Sequence, residues 1–190
     1  MANSLDTSFA TDLKYRLEYG GLRFLIALVR LVPLDTACDI SAFFWRLLGK
    51  RNRRHKRALA NLERAFPEKT PEERERIAVA AWDNLGRVMV ETMNIDRIIK
   101  EPSRLHVTNG HWIGRYKDKM GPALIVTKHM GNWEIGKWPV TLAGVKPAGV
   151  YRSVKNPYVD QYLREQRDAL YPGGLFGRGR TAGDDETQKT

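Results

Sequence analysis

Ala123-Leu124-Ile125-Val126-Thr127-Lys128-His129-Met130-Gly131-Asn132-Trp133-Glu134 is the stretch whose reading governs the fold. Gly121-Pro122 turns the chain into its apolar run, which reads as a buried strand over 123–127. A short polar loop follows, then a helix expected over 135–143, interrupted by Pro139. This grammar places an imidazole, His129, and a carboxylate, Glu134, at a strand–helix junction. A general base and its orienting partner need such placement, close together and open to substrate on one side. A His and a Glu at this spacing also occur by chance, so spacing alone does not decide.

Downstream, 147–151 reads as a second strand, with Arg152 to Asn156 as a polar exit loop. Pro157-Tyr158 opens a helix reaching Leu170, with Val159, Tyr162, Leu163 and Gln166 on one side. Strand, helix, strand, helix with glycines at the turns indicates α/β organisation and a parallel pair. From about residue 173 the periodic pattern ends, and 173–190 reads as a disordered tail.

Upstream the chain reads as helical. Residues 1–12 are small and polar and are expected to be disordered. A helix is predicted from Leu13 to Val32, its apolar face carried by Leu22, Leu25, Ile26 and Val29. Pro33 ends or kinks it, Asp35 offers a cap, and a second helix runs through Phe43, Phe44 and Leu48 to Gly49. Thr70-Pro71-Glu72-Glu73 is a strong helix start. The helix it opens runs to about Met93, with Ile77, Ala81, Leu85, Val88 and Thr92 as the predicted buried face. Asn84, Arg87 and Glu91 share a polar side, either solvated or the wall of a site. His106 and His111 have no regular partner and read as ordinary histidines.

The chain of 190 residues carries 32 basic and 22 acidic side chains, a formal charge of +10. That balance points to a polyanionic partner. Arg46, Lys50, Arg51, Arg53, Arg54, Lys56 and Arg57 cluster without an intervening acid. They form either a solvated helix face or a contact with an anionic membrane surface. The aromatics Phe43, Phe44 and Trp45 lie on the apolar side, which favours a membrane interface over nucleic acid. The single cysteine, Cys38, excludes an intrachain disulfide and a Cys-rich zinc site.

The filling of the opening motif is specific. His129-Met130-Gly131-Asn132-Trp133-Glu134 resembles the His-x4-acid block of the bacterial lipid A biosynthesis acyltransferases, the lauroyl/myristoyl family within the wider glycerolipid acyltransferase superfamily. Asn61-Leu62 through Phe66-Pro67-Glu68 resembles the family's early helical block. Trp82 to Arg87 resembles the helix before its catalytic half, and Tyr151-Arg152 with Asn156-Pro157-Tyr158 its second block. The likeness covers about residues 15–172. It implies a glycerolipid-acyltransferase-like fold, with a helical N-terminal half and the start of a mixed sheet. Family members are longer, so it also implies that the C-terminal part is missing. The domain reading that follows is a membrane-associated helical region over 13–60 and a partial catalytic domain over 61–172.

The resemblance implies transfer of a fatty acyl chain to a hydroxyl of a lipid A precursor or related glycolipid. The donor is an acyl carrier protein or acyl-CoA thioester, and the place is the cytoplasmic face of the bacterial inner membrane. His129 is then the general base and Glu134 its orienting acid. Gly131 allows close backbone approach to an oxyanion, and Asn132 shapes the loop or binds substrate. Arg152 pairs with a phosphate of donor or acceptor, or is a surface arginine at a strand end. Asn156 is a weaker substrate contact. No cofactor, metal or nucleic acid is implied. The alternative is an inactive, truncated remnant that only associates with anionic membrane.

Overall fold

The computed structural model describes residues 8–117, 123–128 and 130–177. It is mostly helical, with one small sheet. The helices are α1 (Phe9–Arg30), α2 (Leu34–Gly49), α3 (Arg53–Ala65), α4 (Pro71–Thr92), α5 (Ile95–Ile98), α6 (His111–Lys117), α7 (Trp138–Leu142) and α8 (Pro157–Arg167). The strands are β1 (Gly149–Tyr151) and β2 (Leu175–Gly177). The chain divides into two compact units. One holds 28–94 and 128–133; the other holds the chain up to Ala27, 95–127 and 134 onward. Among the described residues no helix is long and apolar enough to cross a membrane.

The first unit is built on α2 and α4. The start of α4 is the predicted one: Thr70 Oγ1 accepts from Glu73 N–H at 3.2 Å, and the Glu73 carboxylate accepts from Thr70 N–H at 2.8 Å. Its buried face is the expected one only in part. Val88 is buried as expected and Leu85 and Thr92 are half-buried, but Ile77 and Ala81 are exposed and Ala78, Trp82 and Gly86 are buried instead. Over the first turns the face is rotated by one residue, about 100°, because close approach, not side-chain bulk, decides this contact. A Cβ on Gly86 would lie 2.8 Å from Ala42 Cα and 2.9 Å from Ser41 O. Ser41 Oγ donates to Gly86 O at 2.8 Å, bonding the two helices at their nearest point. Trp45 stacks on Trp82, centroids 5.8 Å apart.

The third helix is tied to α4 by His55, which is buried. Trp82 Nε1 donates to His55 Nδ1 at 3.1 Å, so the remaining proton sits on Nε2 and is donated to Glu75 at 2.9 Å. Asn52 caps α3, its side chain accepting from Arg54 N–H. Asp35, expected as the cap, lies in the first turn of α2, and the N-cap position itself is Pro33, which has no side-chain cap bond.

In the second unit, β1 and β2 pair in parallel, Gly149 against Leu175 and Tyr151 against Gly177. The intervening α8 makes this a strand–helix–strand unit. The parallel pair was expected, but between other segments. Residues 123–128 form no strand, and Leu124 and Val126 are 98% and 92% exposed. A strand exists only by pairing, and β1 pairs instead with residues from the stretch read as a disordered tail. Glycine permits that return. Gly173 N–H donates to Pro147 O at 2.9 Å, and a Cβ there would lie 2.6 Å from Lys146 O. The mixed sheet expected from the resemblance is, among the described residues, a two-stranded parallel one. Phe9 to Asp12, placed in the disordered N-terminus, open α1; residues 1–7 and 178–190 lie outside the described residues.

Candidate active site

The motif's base, His129, lies outside the described residues. Its partner Glu134 is described, and it is buried, 9% exposed. Glu134 stands at the entry to a single 3-10 turn, Ile135–Lys137, which runs on into α7. Pro139 sits in the first turn of α7, where its missing N–H costs nothing, so it starts the helix instead of bending it.

Two side chains from the end of α8 and the turn after it face this carboxylate. Arg167 approaches Glu134 Oε1 at 3.5 Å, and the Tyr171 hydroxyl donates to Oε2 at 3.5 Å. Burial and the nearby Glu134 charge push the Tyr171 phenol up to about 12, so it remains a donor at neutral pH. Lys137, 5.8 Å over the Tyr171 ring, is held below the usual lysine range by burial, against the pull of Glu134. The result is a carboxylate removed from water and held among cationic and hydroxyl donors, the environment an orienting acid needs. Arg167, Tyr171 and Lys137 were not singled out from sequence. A helix-end arginine and a turn tyrosine read as solvent-facing, and only the fold brings them to residue 134.

Gly131 and Asn132 belong to the other unit. Gly131 has φ +52°, in the left-handed region that glycine occupies without strain. Asn132 Nδ2 donates to Glu91 Oε2 at 3.0 Å. Glu91 is thus a wall of the motif loop, one of the two readings open for the polar side of α4. Of the other members of that side, Arg87 bonds Asp83 at 3.0 Å and Asp39 at 2.7 Å, and Asn84 is exposed.

Arg152 is exposed, directly after the last residue of β1. Asn156 is buried and its side chain is fully used. Its Oδ1 accepts from Tyr158 N–H and Val159 N–H as the cap of α8, and its Nδ2 donates to Tyr15 O and Glu18 Oε2 on α1. The expected substrate contact is corrected to a structural cap, because no donor or acceptor remains for a ligand. In the basic cluster, Arg46 pairs with Asp83 at 2.9 Å and Lys50 with Glu75 at 3.7 Å, both across to α4. Arg51, Arg53, Arg54, Lys56 and Arg57 are exposed. Cys38 is buried between α2 and α4, and burial raises its thiol to about 11.

No curated protein and no solved structure matched the chain in comparison. Residues 8–171, which span all the blocks above and both strand-linked ends of α8, match the family described as bacterial lipid A biosynthesis acyltransferases, and the chain belongs to that family of acyltransferases.

Proposed function

We propose that the chain transfers a fatty acyl group from an acyl carrier protein thioester to a hydroxyl of a lipid A precursor, at the cytoplasmic face of the inner membrane. The observation that carries this reading is the buried Glu134 carboxylate, closing a His-x4-Glu motif inside the family-matched stretch. His129 takes the proton of the acceptor hydroxyl as its oxygen attacks the thioester carbon. Glu134 orients the imidazole and stabilises the imidazolium that forms. The tetrahedral intermediate then expels the donor thiolate, and His129 returns the proton to it. Ester and thiol are the products, and no residue is acylated on the way. Gly131 lets backbone N–H groups approach the oxyanion, which such donors stabilise. Arg152 pairs with a phosphate of the donor or acceptor. Acyl-CoA is the other thioester that fits this chemistry.

A second reading is favoured by one observation. The apolar side chains of Leu124 and Val126, just before the motif, are exposed. A chain that associates with anionic membrane without catalysing transfer accounts for an unsupported motif.

The test is acyl transfer from acyl carrier protein to a lipid A precursor in membranes, comparing the chain with its His129→Ala form. The first reading expects turnover reduced at least about a hundredfold by the substitution. Equal background rates for both would leave the second reading.

A further inference from the structure

A glutamate carboxylate is hard to hold in one orientation. Its terminal torsion is broad, without the staggered wells that fix the rest of the side chain. One contact therefore leaves the two oxygens free to turn about the Cγ–Cδ bond. Arg167 supplies Glu134 with one such contact, reaching Oε1 at 3.5 Å through Nη2. Its Nε is buried without a hydrogen-bond partner among the described residues. The side-on fork of Nε and Nη2, which would fix a carboxylate by itself, is not made. A second point comes from the turn after α8, where the Tyr171 hydroxyl donates to Oε2 at 3.5 Å.

Tyr171 has little room to move. Its ring lies on the backbone of β1, where a Cβ on Gly149 would stand 2.6 Å from Tyr171 Cε1 and 3.0 Å from Cδ1. The Lys137 ammonium lies 5.8 Å from the ring centroid. Tyr171 O accepts from Gly174 N–H at 2.8 Å, and Gly174 O accepts from Gly149 N–H at 3.0 Å. The phenol is thus carried by the turn that brings β2 back to β1. Burial and the Glu134 charge keep it protonated at neutral pH, so toward this carboxylate it is a donor.

We infer that Tyr171 is a positioning residue of the proposed acyl transfer: its hydroxyl on Oε2, with Arg167 on Oε1, fixes the plane of the Glu134 carboxylate. An ionised carboxylate has about four acceptor sites, so two donors orient it without exhausting it. A carboxylate that keeps its plane stabilises the imidazolium of the base, and one that turns does so less. The inference rests on the role of Glu134 in that reading and adds a residue to it.

The test is the Tyr171→Phe form of the full chain, which keeps the ring on Gly149 and removes the hydroxyl alone. In acyl transfer from acyl carrier protein, kcat should fall roughly tenfold while KM stays within about twofold. The acidic limb of the kcat/KM profile should move to lower pH, because an imidazolium beside a turning carboxylate gives up its proton more readily. A packing role would leave that limb in place, so an unmoved or raised limb overturns the inference. The contact is also read without turnover, by urea unfolding of Tyr171→Phe, Glu134→Ala and the double variant. The loss of the hydroxyl should raise the unfolding constant at least roughly threefold less in the Glu134→Ala chain than in the unsubstituted one. Additive costs overturn the inference. A chain that shows this coupling but turns nothing over sinks the catalytic reading alone, since Tyr171 would still hold the carboxylate.

Discussion

Arg152, proposed to meet a substrate phosphate, and Asn156, the cap of α8, stand four positions apart. Arg152 is exposed, so Arg152→Ala should leave stability within about 0.5 kcal/mol while raising KM for a phosphorylated substrate. Asn156→Ala removes two cap bonds and two bonds to α1, and should cost about 2 kcal/mol in urea unfolding. The opposite pattern would exchange their roles. Cys38 gives a pH-dependent prediction. Its thiol rises from 9.0 in the unfolded chain to about 11 in the fold. Above pH 9 the unfolded chain gives up this proton first, so the native state binds more protons and stability falls as pH rises. The contribution of Cys38 is present below pH 9 and lost by about 11. At neutral pH the native thiol should react with a disulfide reagent roughly a hundredfold more slowly than in urea. Equal rates would place Cys38 at the surface.

The α2–α4 pair shows how an element can be legible while its contact is not. Both helices were readable from their caps, breakers and apolar spacing, since those signals lie within a turn or two of each end. The buried face of α4 was legible only in part: Val88 is buried as its spacing predicts, but periodicity favours large residues, and the close approach is made at Gly86. Gly86 lies against the backbone of Ser41 and Ala42. Gly86→Val should therefore force the helices apart and cost about 3 kcal/mol or more, whereas Ile77→Val on the exposed side should change little. Urea midpoints of the two variants check this, and equal midpoints would return the packing to the predicted face. The third helix carries a related lesson. His55 sits among cations in the sequence, yet it is buried between Trp82 and Glu75. Neither partner is near it in sequence.

The formal charge of +10 acts at long range as well as through contacts. Attraction to an anionic membrane should weaken steeply with ionic strength, because screening shortens from roughly 30 Å at 0.01 M to 8 Å at 0.15 M. Binding that survives high salt undiminished would assign the association to the exposed apolar side chains of α2 alone. The same charge argued for a polyanionic partner from composition, but composition counted all seven cations between Arg46 and Arg57 alike. The fold divides them, with Arg46 and Lys50 neutralised by α4 and the other five left facing solvent.

The family, the long helices and the His129–Glu134 motif follow from residues close together in the chain: a capping box, a proline break, a filled His-x4-Glu. Such signals are local and survive without knowledge of the fold. What depended on packing were the partners of those residues. Whether 123–127 becomes a strand depends on which segment offers it hydrogen bonds, and β1 takes Leu175–Gly177 instead. Glu134 acquires Arg167 and Tyr171, more than thirty residues away, only through the return of α8. Pairing and burial are set by groups distant in sequence, and no local pattern encodes which distant group arrives.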